Sequence, residues 1–284
     1  MENKMPAYLL RYGEIYLKGK NRIYFEKKLL HNLKAFLKQQ NVDGRFDRLR
    51  NRIYAETNKE IDWKPVFGLI SYSLCLRVEA DYETIKKEVE KIAEEFSGKT
   101  RFRITANVSD ARFNLSRQEM NEKLGAFVVQ KSHAKVDLEK HEEEIGIEIL
   151  QGNTYIYRKT YPCHGGLPVG AEGNVLLLVE EENSLLAGVL AMKRGCALYP
   201  VSKEKKDITL LEKYAWGTKP KLLLLQDNNT DEYIKKYEIQ ALVVGDTLAN
   251  IKEYQDIPLP VLRPLIGYDP KRLAEEKRKY AHLP

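Results

Sequence analysis

From Val175 onward the chain alternates short, nearly unbroken apolar runs with short helical stretches, and few folds accept that pattern. The runs are Val175 to Val179, Ala197 to Val201, Lys221 to Leu225, Ala241 to Val244 and Val261 to Leu265. Helical segments are expected between them at Ser184 to Arg194, Ile208 to Trp216, Asp231 to Tyr237 and Leu248 to Tyr254. A strand that is apolar on both faces must be covered on both, and helical crossovers keep neighbouring strands parallel. This part of the chain therefore predicts a parallel sheet with helices on each side.

The first half has a different grammar. Ala7 to Tyr12 reads as a strand, Gly13 to Asn21 as a glycine- and lysine-rich loop, and Arg22 to Gln39 as a helix. That helix carries its apolar stripe on Phe25, Leu29, Leu30, Leu33, Phe36 and Leu37. Gly44 then turns the chain into Arg45 to Ala55, completing a small α+β unit over residues 1–56. Residues 57–161 repeat the mixture: a strand at Val66 to Leu76, a helix at Tyr82 to Phe96 and a strand at Arg101 to Asn107. Ser116-Arg-Gln-Glu119 has the form of a capping box and predicts a helix start. Ile145 to Leu150 and Thr154 to Lys159 form a hairpin pattern around Gly152-Asn153. Residues 162–173, with four glycines and two prolines, read as a linker before the third unit, 174–284. No tandem repeat is present.

The length, 284 residues, suits two or three such units at roughly 100–200 residues per domain. The longest apolar runs are far shorter than the roughly 20 residues of a spanning helix, and the start Met1-Glu-Asn-Lys-Met5 lacks an apolar signal core. Neither secretion nor membrane insertion is expected. Three widely spaced cysteines, Cys75, Cys163 and Cys196, make no disulfide framework and point to a reducing, cytoplasmic setting. The net charge is +6, but residues 1–55 hold thirteen Lys and Arg against five Asp and Glu. The rest of the chain is slightly acidic, so the positive excess is concentrated at the start. A basic module of this kind suits a polyanion, because Lys and Arg release counterions condensed on phosphates.

Three motifs then stand in order: Arg11-Tyr-Gly-Glu-Ile-Tyr-Leu-Lys-Gly-Lys-Asn-Arg22, Ser109-Asp-Ala-Arg-Phe113, and Gly165-Gly-Leu-Pro-Val-Gly170 before an apolar strand. Arg263-Pro-Leu-Ile-Gly-Tyr-Asp269 adds a fourth. Together they resemble the ThiI-type 4-thiouridine tRNA synthetases, or tRNA sulfurtransferases, over nearly the whole chain. The resemblance implies an α/β protein of three modules: an N-terminal ferredoxin-like domain, a THUMP domain that binds tRNA, and a small Rossmann-like PP-loop domain with a mostly parallel sheet. Full family members extend further, so the resemblance also implies that this third domain is truncated.

Lys18, Lys20 and Arg22 lie within five residues around Gly19, a spacing that can meet successive phosphates, while Asn21 can contact RNA or cap the helix. In the THUMP-like stretch Ser109 and Asp110 match the family's Ser-Asp-Lys-x-Phe pattern, with Ala111 in place of lysine. These two residues suit either a turn or an RNA contact. Asn107 and Val108 stand where the family carries basic residues, so some phosphate contacts are either missing or supplied by Arg101, Arg103, Arg112 and Arg117.

The resemblance breaks at one place. Active family members carry Ser-Gly-Gly-x-Asp-Ser after the first strand of the PP-loop domain, where glycines let backbone amides cradle pyrophosphate. The corresponding residues here are Val179-Glu180-Glu181-Glu182-Asn183-Ser184, and only the last serine survives. A carboxylate about 4 Å from a phosphate oxygen is repelled by about 4 kcal/mol at an effective dielectric near 20. ATP and Mg binding in the family's manner is therefore expected to be lost, with no other cofactor or metal. The three glutamates suit the dipole of the following helix, capped by Asn183 or Ser184. The family's sulfur-handling cysteine has no counterpart in Gln226 to Gln240, a region that is also short. Cys75 and Cys196 read as buried thiols, and Cys163 beside His164 as a poor dyad, since sequence neighbours rarely form a nucleophile and base pair.

The expectation is thus a cytoplasmic THUMP-type RNA-binding protein for the tRNA acceptor end, without catalysis of its own. Its third domain would serve as a homodimerisation surface or as a platform for a modifying enzyme. Two alternatives stand beside it: an active tRNA sulfurtransferase with an altered loop, and a scaffold that no longer binds RNA.

Overall fold

The computed structural model describes residues 5–225, 230–254 and 257–281. The charged residues before Met5 and the start of the cysteine-free stretch, at Gln226, lie outside the described residues. In chain order the elements begin with β1 (Ala7–Tyr12), a 3₁₀ stretch (Glu14–Asn21), α1 (Arg22–Gln39), β2 (Gly44–Leu49), β3 (Arg52–Thr57) and β4 (Leu69–Glu79). Next come α2 (Tyr82–Ala93), β5 (Arg101–Val108), α3 (Arg117–Ser132), β6 (Lys135–Val136), β7 (Glu143–Leu150), β8 (Asn153–Tyr157) and β9 (Tyr161–Pro162). The last group is β10 (Asn174–Leu178), α4 (Ser184–Lys193), β11 (Ala197–Ser202), α5 (Thr209–Glu212), β12 (Leu223–Leu224), α6 (Asp231–Lys236), β13 (Ile239–Val243), β14 (Val261–Leu262) and α7 (Pro270–Ala281).

The chain divides into two compact units. The first comprises Met1–Arg11, Asp43–Ile61 and Ser71–Pro162. Its mixed sheet runs β2-β3-β1-β4-β8-β7-β5-β6, with β9 added to β4. Alternation on β5 and β7 aims Phe102, Ile104, Ala106, Ile145, Ile147 and Ile149 at one face. Ile85, Val89 and Ala93 of α2 and Met120, Leu124 and Val128 of α3 complete that core. The capping box forms as its sequence dictates: Ser116 Oγ accepts from Glu119 N at 3.2 Å, and Glu119 Oε2 accepts from Ser116 N at 2.8 Å. Glu148 is buried and accepts from Arg11 Nε and Arg52 Nε, each at 2.8 Å.

The second unit comprises Tyr12–Val42, Asp62–Ile70 and Cys163–Pro284. It holds a five-stranded sheet in the order β12-β11-β10-β13-β14, parallel throughout. Val175, Leu177 and Val179 enter one hydrophobic cluster and Leu176 the other, which is why β10 reads as an unbroken apolar run. Gly188 lets α4 lie close on this sheet, since a Cβ there would meet Leu177 at 2.6 Å. The glycine-rich stretch after Pro162 is pinned in place: Gly165 N donates to Leu69 O at 2.8 Å, and Leu167 N to Lys193 O at 2.9 Å.

Several elements depart from the sequence pattern. Only Thr209–Glu212 of the helix expected at Ile208 to Trp216 is helical. The helix expected at Leu248 to Tyr254 does not form: one side chain captures an amide within it and another the amide of the residue just before it. Thr247 N donates to Asn250 Oδ1 at 2.7 Å, and Lys252 N to Asp246 Oδ2 at 3.2 Å. In compensation α7 appears, started by Asp269 Oδ1 accepting from Arg272 N at 2.7 Å and by Pro270 at the first helical position. The expected Gly13 to Asn21 loop is wound into 3₁₀ turns broken at Gly19, whose φ of 51° and ψ of −124° suit only glycine. Asn21 and Asn183 occupy N-cap positions without a side-chain cap bond, both backbones being in the helical region where the side chain does not reach the free amides.

Candidate nucleic-acid interface

In the second unit the basic motif wraps the start of α1. Lys18 Nζ pairs with Glu172 Oε1 at 2.5 Å and lies 4.5 Å from the Phe25 ring centre. Arg22 Nε bonds Glu26 Oε1 at 2.7 Å, and its terminal nitrogen donates to Tyr12 Oη at 3.2 Å. Tyr12 Oη in turn donates to Glu26 at 2.6 Å, and burial with that bond raises the phenol to about 12. Asn21 is exposed, and so is Lys20, which has no ion-pair partner among the described residues. The three cations are thus unequal: two are held by the protein and Lys20 is available.

In the first unit Asp110 is the hub of its motif. Its carboxylate accepts from Arg112 N at 3.0 Å, Arg112 Nε at 3.1 Å and Gly152 N at 2.5 Å. The Arg112 pairing and these amides hold Asp110 well below the usual carboxylate range. This is the turn arrangement, and it fixes the Arg112 guanidinium over Asp110 while most of that side chain stays exposed. Ser109 is exposed and touches Asn107 Oδ1 at only 3.5 Å. Arg103 is committed to Glu144 at 2.9 Å, and Arg101 to Glu142 at 2.9 Å. Arg117 is exposed at the first position of α3 with no ion-pair partner among the described residues.

The crevice of the parallel sheet lies between the loops that leave β10 and β13, where the strand order reverses. Open parallel sheets place ligands there. Glu180 and Glu182 are exposed and Val179 is buried. Ser184 is buried as well, and its Oγ accepts from Glu181 N at 3.1 Å. The Glu181 amide is therefore spent within the loop. Lys252 Nζ pairs with Glu181 and Lys277 Nζ with Glu182, and the lysine keeps the Glu182 carboxyl below its ordinary value. A Cβ on Gly245 would meet Ser184 N at 2.7 Å, so the two loops abut backbone to backbone. The Glu181 and Glu182 carboxylates and the Glu181 amide are thus engaged by partners within the chain. Asp246, which the sequence patterns did not single out, is the buried post of this region, accepting from Tyr254 Oη at 2.8 Å and Arg263 Nε at 3.2 Å. Arg263 belongs to the fourth motif, which was the available signal.

The thiols are quiet. Burial pushes Cys75 and Cys163 up to about 12 and raises Cys196. His164 is pushed down to about 4 by burial and by nearby lysines, so the Cys163-His164 neighbours are a protonated thiol beside a neutral imidazole. Among the described residues no cluster of three or more His, Cys, Asp or Glu could hold a metal ion, and no helix is long and apolar enough to cross a membrane.

A mixed-sheet unit and a parallel-sheet unit, in a chain that opens on a basic segment, define a multidomain α/β protein of the THUMP class. Residues 79–158 match the THUMP domain and residues 7–73 the ThiI ferredoxin-like domain. The "probable tRNA sulfurtransferase" of Moorella thermoacetica is 30% identical over 323 residues, covering 95% of this chain and 82% of the relative. This chain belongs to the ThiI-type tRNA sulfurtransferase family. Among solved structures, PH1313 from Pyrococcus horikoshii superposes with a TM-score of 0.86 at 30% identity, over 98% of this chain and all of that one. A 4-thiouridine synthetase solved in complex with RNA and ATP shares the fold, with a TM-score of 0.79 at 21% identity over 98% and 85% of the two chains. The stretch matched in the Moorella protein is longer than this chain's 284 residues, so that relative carries internal segments with no counterpart here.

Proposed function

We propose that this protein binds the acceptor end of tRNA through its THUMP-type module and basic N-terminal segment, and lacks ATP-dependent sulfur transfer of its own. The observation that carries the second half is the crevice after β10. Carboxylates stand where amides should meet phosphate, Glu181 N is spent on Ser184 Oγ, and two lysines neutralise the glutamates from within the chain. Family membership and the RNA-bound relative of the same fold support the first half. A separate modifying enzyme would then act on RNA held here, with the parallel-sheet unit as its platform or as a homodimer surface.

Calorimetric titration with ATP and magnesium tests the loss of chemistry, and the reading expects no heat of binding at micromolar nucleotide. Affinity in that range would favour the active-enzyme alternative, which family membership over most of the chain otherwise supports. Gel-shift titration against tRNA with and without its 3′ end, and against duplex DNA at two salt concentrations, tests the binding half. Preference for intact tRNA that weakens steeply with salt is the expected result, and equal weak binding to all three would favour a scaffold.

A further inference from the structure

We propose that Tyr16 and Tyr24, with Lys20 and Arg22, form a stacking platform for unpaired nucleotides of an RNA. The inference rests on the RNA-binding reading and assigns this segment to single-stranded rather than duplex structure. Tyr16, Leu17, Ile23 and Tyr24 are each more than half exposed, four large apolar side chains within nine residues of one unit. Solvent-facing groups of this size in so short a span are unusual unless something covers them. They are interleaved with cations at Lys18, Lys20 and Arg22.

The rings are held. The Arg22 guanidinium lies 5.6 Å from the Tyr16 ring centre, and its bonds to Glu26 and Tyr12 fix it there. Tyr24 packs edge-on to buried Phe25 with ring centres 5.4 Å apart. Gly19, in the same segment, adds no bulk, and a Cβ there would meet nothing within 4 Å. The occupant follows from charge. Between residues 15 and 39 the sole acidic residue is Glu26, buried and paired, against seven Lys and Arg. Aromatic and guanidinium faces beside an available lysine suit bases stacked flat with phosphates alongside, whereas duplex RNA hides its base faces. An anionic lipid surface would also favour cations, but it would draw on Leu17 and Ile23 rather than on tyrosine rings.

The test uses the full chain with three probes: an acceptor-stem RNA duplex carrying an unpaired 3′ overhang labelled with 2-aminopurine, the same duplex cut blunt, and phosphatidylglycerol-containing vesicles. Wild type should prefer the overhang and quench its fluorescence. Tyr16→Ala and Tyr24→Ala should each remove roughly tenfold of that preference, leaving affinity for the blunt duplex and its salt dependence unchanged. Tyr16→Phe and Tyr24→Phe should keep it. All these side chains are exposed, so unchanged thermal melts confirm that folding is intact. An overhang preference that survives both alanine changes overturns the platform and leaves tRNA binding standing. Vesicle binding that is lost with Leu17→Ser and Ile23→Ser, with no overhang preference in wild type, overturns it in favour of a membrane surface. A wild type that ignores both RNAs overturns the platform together with the RNA-binding reading.

Discussion

Lys252 Nζ donates to the Glu181 carboxylate, joining the segment that follows β13 to the loop that follows β10 at the mouth of the parallel sheet. Lys277 is paired in the same way with Glu182. Both pairs are substantially solvent-exposed, and exposed pairs contribute little to stability. Lys252→Ala combined with Lys277→Ala should therefore leave the melting temperature nearly unchanged and should not create ATP affinity, since Glu180, Glu181 and the spent Glu181 amide remain. Calorimetry on that variant checks this, and micromolar ATP binding would mean that the lysines, not the loop, exclude nucleotide.

Lys20 and Arg22 should separate in mutagenesis although they are two residues apart. Lys20→Glu should weaken RNA binding and lower the salt slope by about 1, with folding intact. Arg22→Ala should in addition cost roughly 1–3 kcal/mol of stability, because buried Glu26 loses a charged partner. Filter binding at several salt concentrations, paired with thermal melts, distinguishes the two.

Glu148 holds two arginines in the first unit. Arg11 is itself buried and donates also to Ser73 Oγ at 3.0 Å. Glu148→Ala strands that guanidinium and should cost about 3–5 kcal/mol in chemical denaturation. A change under 1 kcal/mol would show that water repairs the gap.

Gly146 on β7 lies directly beneath the Tyr157 ring, which a Cβ would overlap. Gly146→Ala should destabilise by roughly 1–3 kcal/mol through overpacking, and Tyr157→Leu in the same chain should recover part of that loss. A double-mutant cycle measures the coupling, and strictly additive effects would refute the contact.

His164 should give the second unit an acid limb. Burial among Phe67, Tyr214 and Tyr280, reinforced by Lys64, Lys279 and Lys193, lowers its pKa from 6.5 to about 4. A base depressed in the folded state stabilises the fold above 6.5 and loses that contribution as pH falls from 6.5 through 4. Denaturation of His164→Phe across that window should show a flatter acid limb than wild type.

Much of the architecture was legible in the chain. The β10 apolar run announces a strand covered on both faces, because a parallel sheet buries both, and Ser116 with Glu119 announces the start of α3, because two local hydrogen bonds suffice to fix it. The segment Leu248 to Tyr254 misled, since its helical pattern is overruled where Asp246 takes the Lys252 amide and Asn250 takes that of Thr247 just before it. The candidate interface was legible as composition and opaque as chemistry: neither the lysine spacing nor the Ser-Asp motif reveals that Lys18, Arg22 and Asp110 are occupied.

The sequence by itself determined the family, the basic opening segment and the glutamates in place of the glycine loop, because each is written in contiguous residues. Only the tertiary structure decided which charges are free and which are spent. Glu172 lies 154 residues from the Lys18 it neutralises, Lys252 lies 71 from Glu181, and Glu148 lies 137 from Arg11. Local propensity carries no information about partners that far along the chain, and only the fold brings them within bonding distance.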